Sequence, residues 1–353
     1  MSKLVILFLL WVLGAPLSVS AGQINAFIYH RFDDDRYPST NISLKVFEEQ
    51  LRYVRQNKLT VVSVDDVARR ITEGKPLPEE GILLTVDDAY SSFYDAALPV
   101  IRRYGVPVTL FVNTDAVGTP GYMSWDEIGE AVDAGVELGN HTASHAYLVE
   151  LAEDETRAQW HQRVRADILK AQAAFERELG MRPEVFAYPY GEYSVEVTSL
   201  LKELGFVAAF AQQSGVIVDG HDPFILPRFP MGGPYATLDE FTSKAAMKAL
   251  KVEQQQPVNP VLAPGEDNPP VLVLRLPEMA GEKAVLNCFV QGDNRCHVEM
   301  LPEKGEGWYR VVAESRLSGR RNKYTLTGQD TDGRWLWFSQ LWINATNPVS
   351  SEP

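Results

Sequence analysis

The sequence predicts an α/β barrel followed by a small all-β domain, and three observations lead to this expectation. From residue 24 to about 250, short apolar runs rich in β-formers alternate with longer helical patterns. Apolar strands separated by helices are typical of a parallel sheet covered by helices, and this many units favours a closed or nearly closed barrel. From residue 271 to 343 the runs alternate apolar and polar residues and show no helical pattern, which is typical of a β-sandwich.

The element boundaries follow from the same patterns. One helix is predicted at residues 44–56, where apolar residues recur at helical spacing, and a second at residues 155–179. The predicted barrel strands are Ile24–Tyr29, Thr60–Val64, Ile82–Val86, Val108–Val112, Val136–Gly139, Val185–Tyr188, Phe206–Phe210 and Ile225–Phe229. A segment rich in proline and glutamine, residues 254–270, is predicted to be a linker. We therefore expect a barrel domain over residues 22–253 and a β-sandwich-like domain over residues 271–343.

The amino terminus is predicted to be a signal peptide over residues 1–21. A positive charge precedes an apolar stretch from Leu4 to Leu17, and small residues follow up to a cleavage site after Ala21. A membrane anchor is the alternative, but Gly14 and Pro16 interrupt a stretch shorter than the roughly 20 apolar residues of a span. We expect an exported protein, periplasmic or extracellular, with no transmembrane segment in the mature chain and a disordered tail at residues 344–353.

The net charge limits the classes of binding partner, and the two cysteines indicate whether a disulfide forms. A formal net charge of -14 without a basic run argues against nucleic acid or an anionic membrane as partner, and leaves a neutral or cationic glycan compatible. Cys288 and Cys296 lie close together in a strand-rich region, and with only His297 nearby they make a poor metal site. In an exported chain we expect them to form a disulfide.

Polar residues stand where several predicted barrel strands end. The groups are His30 after the first strand, Asp87 and Asp88 after the third, Asn140, His141 and His145 after the fifth, and Pro189-Tyr190-Gly191 after the sixth. Taken alone, a pair of histidines is often a surface feature and adjacent aspartates often cap helices or form turns. In a parallel barrel, however, the carboxyl ends of the strands meet at one rim, so the combination predicts a site there. If residues 141–145 formed a helical turn, both histidines would lie on one side of the backbone.

Three motifs at these positions resemble those of the NodB-homology polysaccharide deacetylases, carbohydrate esterase family 4. Residues 85–89 read T-V-D-D-A and are similar to the family's T-F-D-D-G, and residues 141–145 read H-T-A-S-H and fit its H-[ST]-x-x-H. Residues 186–191, F-A-Y-P-Y-G, resemble its third motif, R-x-P-Y. By motif order the resemblance covers roughly residues 24–250. It implies a distorted (β/α) barrel of the polysaccharide deacetylase type.

The resemblance also implies roles for the residues on the rim. Asp88, His141 and His145 would hold one divalent metal, usually zinc in the family, with cobalt or nickel as alternatives. Asp87 would be the catalytic base, and the backbone N–H of Tyr190 would help to stabilise the oxyanion. Two imidazoles and one carboxylate leave coordination positions open for water and substrate, as catalytic metal sites require.

The general acid is the first departure from the family's pattern. The usual late L-x-H motif is absent, and residues 221–228 read H-D-P-F-I-L-P-R. His30 instead ends the first strand, a layout similar to that of the deacetylases of biofilm poly-N-acetylglucosamine, whose motif order is circularly permuted. We expect His30 to be the general acid. A purely structural His30, with His221 as the substitute acid, is the alternative.

The second departure is Ala187, which stands where the family's third motif has an arginine that orients the base. Arg228, at the end of the strand Ile225–Phe229, is the candidate replacement. A surface salt bridge is the alternative role for Arg228.

Aromatic residues are candidates for binding sugar rings. Tyr122, Trp125 and Tyr190 are predicted to form a substrate platform near the rim, although core packing is the alternative for Trp125. The β domain carries Trp308, Trp335, Trp337 and Trp342, which either mark a glycan-binding surface or fill the core of a small sandwich.

These expectations describe a secreted, metal-dependent polysaccharide deacetylase that hydrolyses N-acetyl groups of an extracellular glycan, most similar to poly-N-acetylglucosamine. An O-acetyl polysaccharide esterase is the alternative within the same chemistry, and a non-catalytic glycan-binding protein on the same barrel is the alternative from another class. The intact set of Asp87, Asp88, His141 and His145 argues against the binding protein, because a binder does not need an open metal site beside a base.

Overall fold

The computed structural model describes residues 22–262, 267–279, 285–291 and 295–345. The predicted signal peptide, residues 1–21, and most of the predicted tail, residues 346–353, lie outside the described residues. Within the described ranges, none of the helices has the length and apolar character that crossing a membrane requires.

The first part of the chain is built on one curled sheet. Its strands, with a separate short pair (β2 and β3), are β1 (Gln23–Tyr29), β2 (Arg31–Phe32), β3 (Asn41–Ile42), β4 (Thr60–Val62), β5 (Gly81–Asp87), β6 (Thr109–Val112), β7 (Glu137–Asn140), β8 (Val185–Ala187), β9 (Ala208–Phe210), β10 (Ile217–Val218) and β11 (Phe229–Pro230). The sheet runs in the order β10-β1-β5-β6-β7-β8-β9, with β4 also on β5 and β11 also on β1. All of these pairings are parallel except that of β10 with β1. The predicted barrel is confirmed as a curled half-barrel.

Helices connect the strands, and side-chain caps begin most of them. They are α1 (Leu44–Gln56), α2 (Val64–Thr72), α3 (Leu98–Tyr104), α4 (Trp125–Asp133), α5 (Arg157–Leu179), α6 (Val195–Glu203) and α7 (Leu238–Ala245). Helix α1 begins at the predicted residue because Ser43 caps it, and it buries Phe47, Leu51 and Val54 against the sheet. Helix α5 begins two residues later than predicted, since Thr156 and Gln159 form a capping box there.

The two sides of the half-barrel approach each other through the segment from Leu226 to Pro230. Leu226 bridges Phe210 of β9, and three residues later Phe229 pairs with Phe27 of β1. The strand predicted at residues 225–229 is therefore only partly regular, with an isolated bridge at Leu226 and a short β11. Arg228 lies between these two pairings and is fully buried.

The second part of the chain forms two four-stranded sheets. Its strands are β12 (Lys248–Ala249), β13 (Gln254–Gln256), β14 (Leu272–Arg275), β15 (Asn287–Val290), β16 (Cys296–Met300), β17 (Trp308–Ala313), β18 (Arg321–Gln329) and β19 (Trp335–Ile343). One sheet has the order β12-β19-β18-β15 and the other β13-β14-β17-β16. Both sheets contribute to one apolar core, which includes Leu274, Val311, Leu326 and Trp342. The arrangement is the predicted sandwich.

The linker prediction needs a correction at its start. Gln254–Gln256 is not irregular but pairs antiparallel with β14, and Lys248–Ala249, assigned by sequence to the barrel domain, pairs with β19. Both segments are too short and too polar to show a strand pattern. Their backbone pairing depends on edges that other parts of the chain supply.

The cysteines are joined as expected. Cys288 on β15 and Cys296 on β16 form a disulfide with a Cα–Cα distance of 5.7 Å. Their strands belong to opposite sheets, so the bond ties the two layers of the sandwich together.

We predict no free thiol in protein isolated from an oxidising compartment, because these two residues are the chain's only cysteines. The measurement is thiol titration of unfolded, unreduced protein, with a fully reduced sample as the control. Two reactive thiols in the unreduced sample would contradict the prediction.

Candidate active site

The register of the half-barrel brings the predicted rim residues together. Tyr29 pairs with Val86, which sets His30 beside Asp87. Val112 pairs with Asn140, and the backbone N–H of His141 donates to the carbonyl of Val112. The side chains that follow β1, β5 and β7 therefore meet at the carboxyl edge of the sheet, as in other parallel barrels.

Three of these side chains form a compact donor set. His145 Nε2 lies 3.2 Å and His141 Nε2 lies 3.4 Å from Asp88 Oδ1, and all three ligand atoms lie within 4.8 Å of one another. Asp88 Oδ1 is buried without a hydrogen-bond partner among the described residues. A buried acceptor with no donor is costly, and a cation between these atoms removes that cost. Two imidazoles and one carboxylate also suit a divalent transition metal, so the residues fit one.

Neighbouring groups fix the orientation of the histidines. His141 Nδ1 lies 2.7 Å from the carbonyl oxygen of Ala187, so this nitrogen carries the proton and Nε2 is left free to bind a metal. The sequence analysis considered a helical turn at residues 141–145, but the structure has none there. Thr142 and His145 instead have positive φ angles of 66° and 56°. The Asn140 side chain accepts from the Thr142 N–H, and Thr142 Oγ1 accepts from the His145 N–H. These bonds hold a looped backbone that still points both rings at Asp88.

Electrostatics separates the two histidines. Burial alone would lower the pKa of His141, but the Asp87 and Asp88 carboxylates outweigh it and raise that pKa. Burial, followed by repulsion from His141, lowers the pKa of His145 to about 4. The Asp88 carboxyl keeps a pKa below its ordinary value, because both histidines overcome the opposing effect of burial. Asp88 and His145 are therefore in their metal-binding protonation states at neutral pH.

Arg228 holds the second aspartate. Its Nη1 donates to Asp87 Oδ1 at 2.7 Å and its Nη2 to Asp87 Oδ2 at 2.9 Å, while Nε donates to the carbonyl of Ala211. Both side chains of the pair are fully buried, which excludes the surface salt bridge considered from sequence. Thr85 Oγ1 accepts a further bond from Nη1. Arg228 thus holds the Asp87 carboxylate inside the half-barrel, as the sequence analysis expected of a candidate orienter of the base.

The pair keeps Asp87 ionised. Burial alone would raise the pKa of the Asp87 carboxyl, but Arg228 and the nearby His141 and His30 hold that pKa below its ordinary value. The Asp87 carboxylate is therefore ionised, and its orientation is fixed through both oxygens.

His30 lies partly buried beside these groups, and burial lowers its pKa while Asp88 and Asp87 act to raise it. His221 lies at the other end of the half-barrel. It follows β10, whose Val218 pairs with Gln23 at the amino-terminal end of β1. The geometry therefore places His30, and not His221, among the rim residues.

The aromatic candidates have different surroundings. The Tyr190 ring packs edge-on against His145 at 4.5 Å, so Tyr190 borders the donor set. The Tyr122 ring lies 4.9 Å from that of Tyr90, which follows the Asp-Asp motif. The structure does not bring Trp125 to the donor set, since its ring packs edge-on against Phe175 of α5 at 5.7 Å. This contact agrees with the packing alternative for Trp125, and its place in a substrate platform stays a prediction.

The tryptophans of the sandwich also differ from one another. Trp342 is buried in the sandwich core and packs against Tyr324. Trp337 packs against Phe229 of the half-barrel and donates to the carbonyl of Ser214. Trp335 is 47% exposed. Core packing thus accounts for Trp342, and contact between the two domains accounts for Trp337.

Sequence reasoning missed several residues that border the site. Tyr147 stacks on Tyr190 with ring centroids 3.9 Å apart, and Arg31 lies 3.4 Å from the centre of the Tyr90 ring. The closeness of Tyr147 to His145 in the chain was a usable signal. Nothing in the sequence indicated that Arg320 and Arg321 of the sandwich contact this region.

The fold and the site together define a class of protein: a curled α/β half-barrel in which an arginine-held carboxylate adjoins three donors able to bind a metal. Residues 74–209 match the sequence family described as polysaccharide deacetylase. Over these residues the chain is similar to the polysaccharide deacetylase domain. The matched residues include Asp87, Asp88, His141, His145 and Tyr190, whereas His30 and Arg228 lie outside the match.

Relatives with a curated function share this region and more. The poly-beta-1,6-N-acetyl-D-glucosamine N-deacetylase of Escherichia coli (strain K12) is 25% identical over 350 residues, covering 85% of this chain and 52% of the relative. The protein of the same name from Staphylococcus aureus (strain MRSA252) is 21% identical over 214 residues, covering 59% of this chain and 73% of the relative. The chain spans about half the length of the Escherichia coli relative.

Solved structures confirm the fold. IcaB from Ammonifex degensii superposes with a TM-score of 0.57 at 24% identity, covering 64% of this chain and 97% of that one. The Streptococcus pyogenes deacetylase PplD superposes with a TM-score of 0.57 at 17% identity, covering 64% of this chain and 99% of that one.

The donor set predicts about one divalent ion per chain. His141→Ala and His145→Ala should each weaken binding, and the double variant should hold none, because Asp88 alone is a poor ligand set. Elemental analysis after dialysis measures this, with His221→Ala as the matched control that keeps its ion. Full occupancy in the double variant would show that the ion binds elsewhere.

Arg228→Ala should lower the free energy of unfolding by about 3 to 5 kcal/mol, because it leaves the Asp87 carboxylate buried and unpaired. Arg165→Ala is the control, since Arg165 forms an exposed pair with Glu203 whose loss costs less than about 1 kcal/mol. Urea unfolding followed by circular dichroism measures both. Equal losses in the two variants would contradict the inferred role of the buried pair.

Proposed function

We propose that the protein is an exported, metal-dependent N-deacetylase of an extracellular polysaccharide similar to poly-β-1,6-N-acetylglucosamine. The observation that carries the proposal is that two adjacent aspartates contact different partners. Asp87 is held by Arg228 through both carboxylate oxygens, and Asp88 faces His141 and His145. A protein that only binds glycan has no use for a buried, ionised carboxylate next to a set of metal ligands.

The proposed cofactor is one divalent metal, zinc by its preference for imidazole and carboxylate ligands, with cobalt or nickel as substitutes. Asp88, His141 and His145 would hold it. Bound there, such an ion supplies activation of water and polarisation of the acetyl carbonyl.

The chain's own residues would handle the protons and the developing charge. Asp87 accepts a proton from the attacking water as the water oxygen bonds to the acetyl carbon. The backbone N–H of Tyr190 donates to the oxygen that becomes negatively charged. His30 donates a proton to the amine nitrogen as the carbon–nitrogen bond breaks, and acetate and a free amino sugar leave.

The substrate class rests on the relatives and on charge. The Escherichia coli and Staphylococcus aureus relatives carry poly-beta-1,6-N-acetyl-D-glucosamine in their names, and the first matches most of this chain. A deacetylated product is cationic, and the chain's net charge of -14 suits a glycan that gains positive charge. The signal peptide predicted at residues 1–21 agrees with an extracellular polymer.

The direct test is acetate release from poly-β-1,6-N-acetylglucosamine, chitin oligomers, peptidoglycan and acetylxylan, each with and without chelator. The expected result is release from the first polymer that the chelator abolishes. Release from acetylxylan alone would indicate an O-acetyl esterase, and no release from any glycan by the metal-loaded protein would indicate a binding protein.

His30→Ala should lower kcat on an N-acetyl substrate by a factor of roughly 100 to 10,000, with the metal retained and KM little changed, because the amine then departs without a proton. On p-nitrophenyl acetate the variant should retain far more activity, since this leaving group needs no protonation. Asp87→Asn should damage both reactions, because each requires deprotonation of water. Steady-state kinetics on the two substrates measures the difference.

His221→Ala serves as the control for the acid and should behave as the unmodified protein. If His221→Ala abolishes amide hydrolysis while His30→Ala leaves it intact, the acid assignment is wrong.

A further inference from the structure

The loop at Tyr190 has a backbone that needs external support. Tyr190 adopts φ 58° and ψ 5°, a left-handed conformation that is strained for a residue with a β-carbon. Gly191 follows, also at positive φ, and a β-carbon there would collide with the backbone of Gln212. A loop in this conformation persists only when its surroundings fix it.

Two arginines of the sandwich contact this loop. Arg321 Nη1 donates to the carbonyl oxygen of Tyr190 at 2.8 Å. Arg320 donates through Nε and Nη2 to the two oxygens of Glu192, at 2.8 and 2.9 Å. Glu192 is fully buried and Arg320 is 7% exposed, so this is a desolvated pair with well-aligned bonds. The two arginines thus hold residues on both sides of Gly191.

A stack of rings continues from the arginines to the metal ligands. The Arg320 guanidinium lies 4.0 Å from the centre of the Tyr147 ring, which stacks on Tyr190 at an interplanar angle of 12°. Tyr190 in turn packs edge-on against His145. The order Arg320, Tyr147, Tyr190, His145 forms one packed row from the sandwich to the donor set.

The arginines themselves stand on a firm base. Arg321 is the first residue of β18, which pairs with β19 along its whole length. On β19, Leu341 and Ile343 belong to the same buried apolar cluster as Leu148 and Tyr188 of the half-barrel. The sandwich is therefore docked through apolar contacts beside the Tyr190 loop, and this docking limits the movement of its arginines.

We infer that the sandwich domain completes the active site, with Arg320 and Arg321 acting as positioning residues that hold Tyr190 so that its backbone N–H can meet the oxyanion. This inference rests on the proposed function. In this role the sandwich affects the rate of turnover, whether or not it also binds glycan. Neither arginine touches the reacting atoms in this role.

The test uses the full chain with Arg321→Gln, which removes the bond to the Tyr190 carbonyl from a side chain that is 27% exposed. We expect kcat to fall roughly 10- to 100-fold, less than the loss seen when an oxyanion donor is removed outright. KM should change by less than about threefold and the metal content should stay at that of the unmodified protein. The loss should be equal on the N-acetyl substrate and on p-nitrophenyl acetate, because both reactions pass through an oxyanion. His30→Ala, in contrast, should spare the activated ester.

Two further variants guard against a purely structural effect. Arg310→Gln removes a half-exposed arginine from β17 of the same sandwich and should leave kcat unchanged. Arg320→Lys keeps the charge beside Glu192 but loses the two-point contact, and we expect a smaller fall in kcat than for Arg321→Gln with the fold retained. Unchanged kcat in both Arg321→Gln and Arg320→Lys would overturn the inference.

Hydrogen exchange separates this inference from the proposed function, because it needs no activity. In Arg321→Gln the peptide covering residues 188–193 should exchange faster, whereas that covering 140–146 should not. If the protein releases acetate from no glycan, the proposed function and a role of the arginines in turnover are both refuted. Faster exchange in Arg321→Gln would then show that the contact with the Tyr190 loop is structural only. Unchanged exchange would refute the positioning role even in an active enzyme.

Discussion

The candidate site depends first on the buried pair between Arg228 and Asp87, which sits where the half-barrel closes. Both side chains are removed from water, and the guanidinium satisfies both oxygens of the carboxylate. A carboxylate so buried is tolerable only while its partner stays in place, since breaking such a pair costs about 3 to 5 kcal/mol. The partner stays because Leu226 and Phe229, on either side of Arg228, are each paired with a neighbouring strand. The strand pairings that fix Arg228 therefore also help to keep Asp87 ionised.

The adjacent aspartates obtain different roles from a single change in the backbone. Asp87 is the last residue of β5 and keeps the extended conformation that points it into the half-barrel. Asp88 has φ 77°, which leaves the strand and turns the next carboxylate toward His141 and His145. Asp88, Ala89, Thr142, His145 and Tyr190 all have positive φ values without being glycine. Strained residues of this kind persist where surrounding contacts hold them, and here they border the donor set.

The sandwich contacts the half-barrel through apolar side chains and through hydrogen bonds, and the two kinds of contact have different effects. Trp337, Leu341 and Ile343 bury apolar surface against the barrel, and burial of apolar surface favours the contact between the domains. Arg320 and Arg321 instead fix the orientation of the Tyr190 loop relative to the sandwich, because they donate hydrogen bonds to defined atoms of that loop. The sandwich, which the sequence predicts only as a separate small domain, therefore contacts residues that border the donor set.

The sequence by itself determined the half-barrel, the sandwich, the disulfide partners and most of the rim, because these follow from local patterns. Strand and helix periodicity repeats over short windows, and Asp87, Asp88, His141 and His145 lie in short motifs at predicted strand ends. Only the tertiary structure decided that Arg228 holds Asp87, that Trp125 packs against Phe175, and that residues 254–256 form a strand. It alone also brought Arg320 to Glu192, across a separation of 128 residues. Contacts between residues far apart in the chain depend on how sheets close and domains dock, and no local pattern records that geometry.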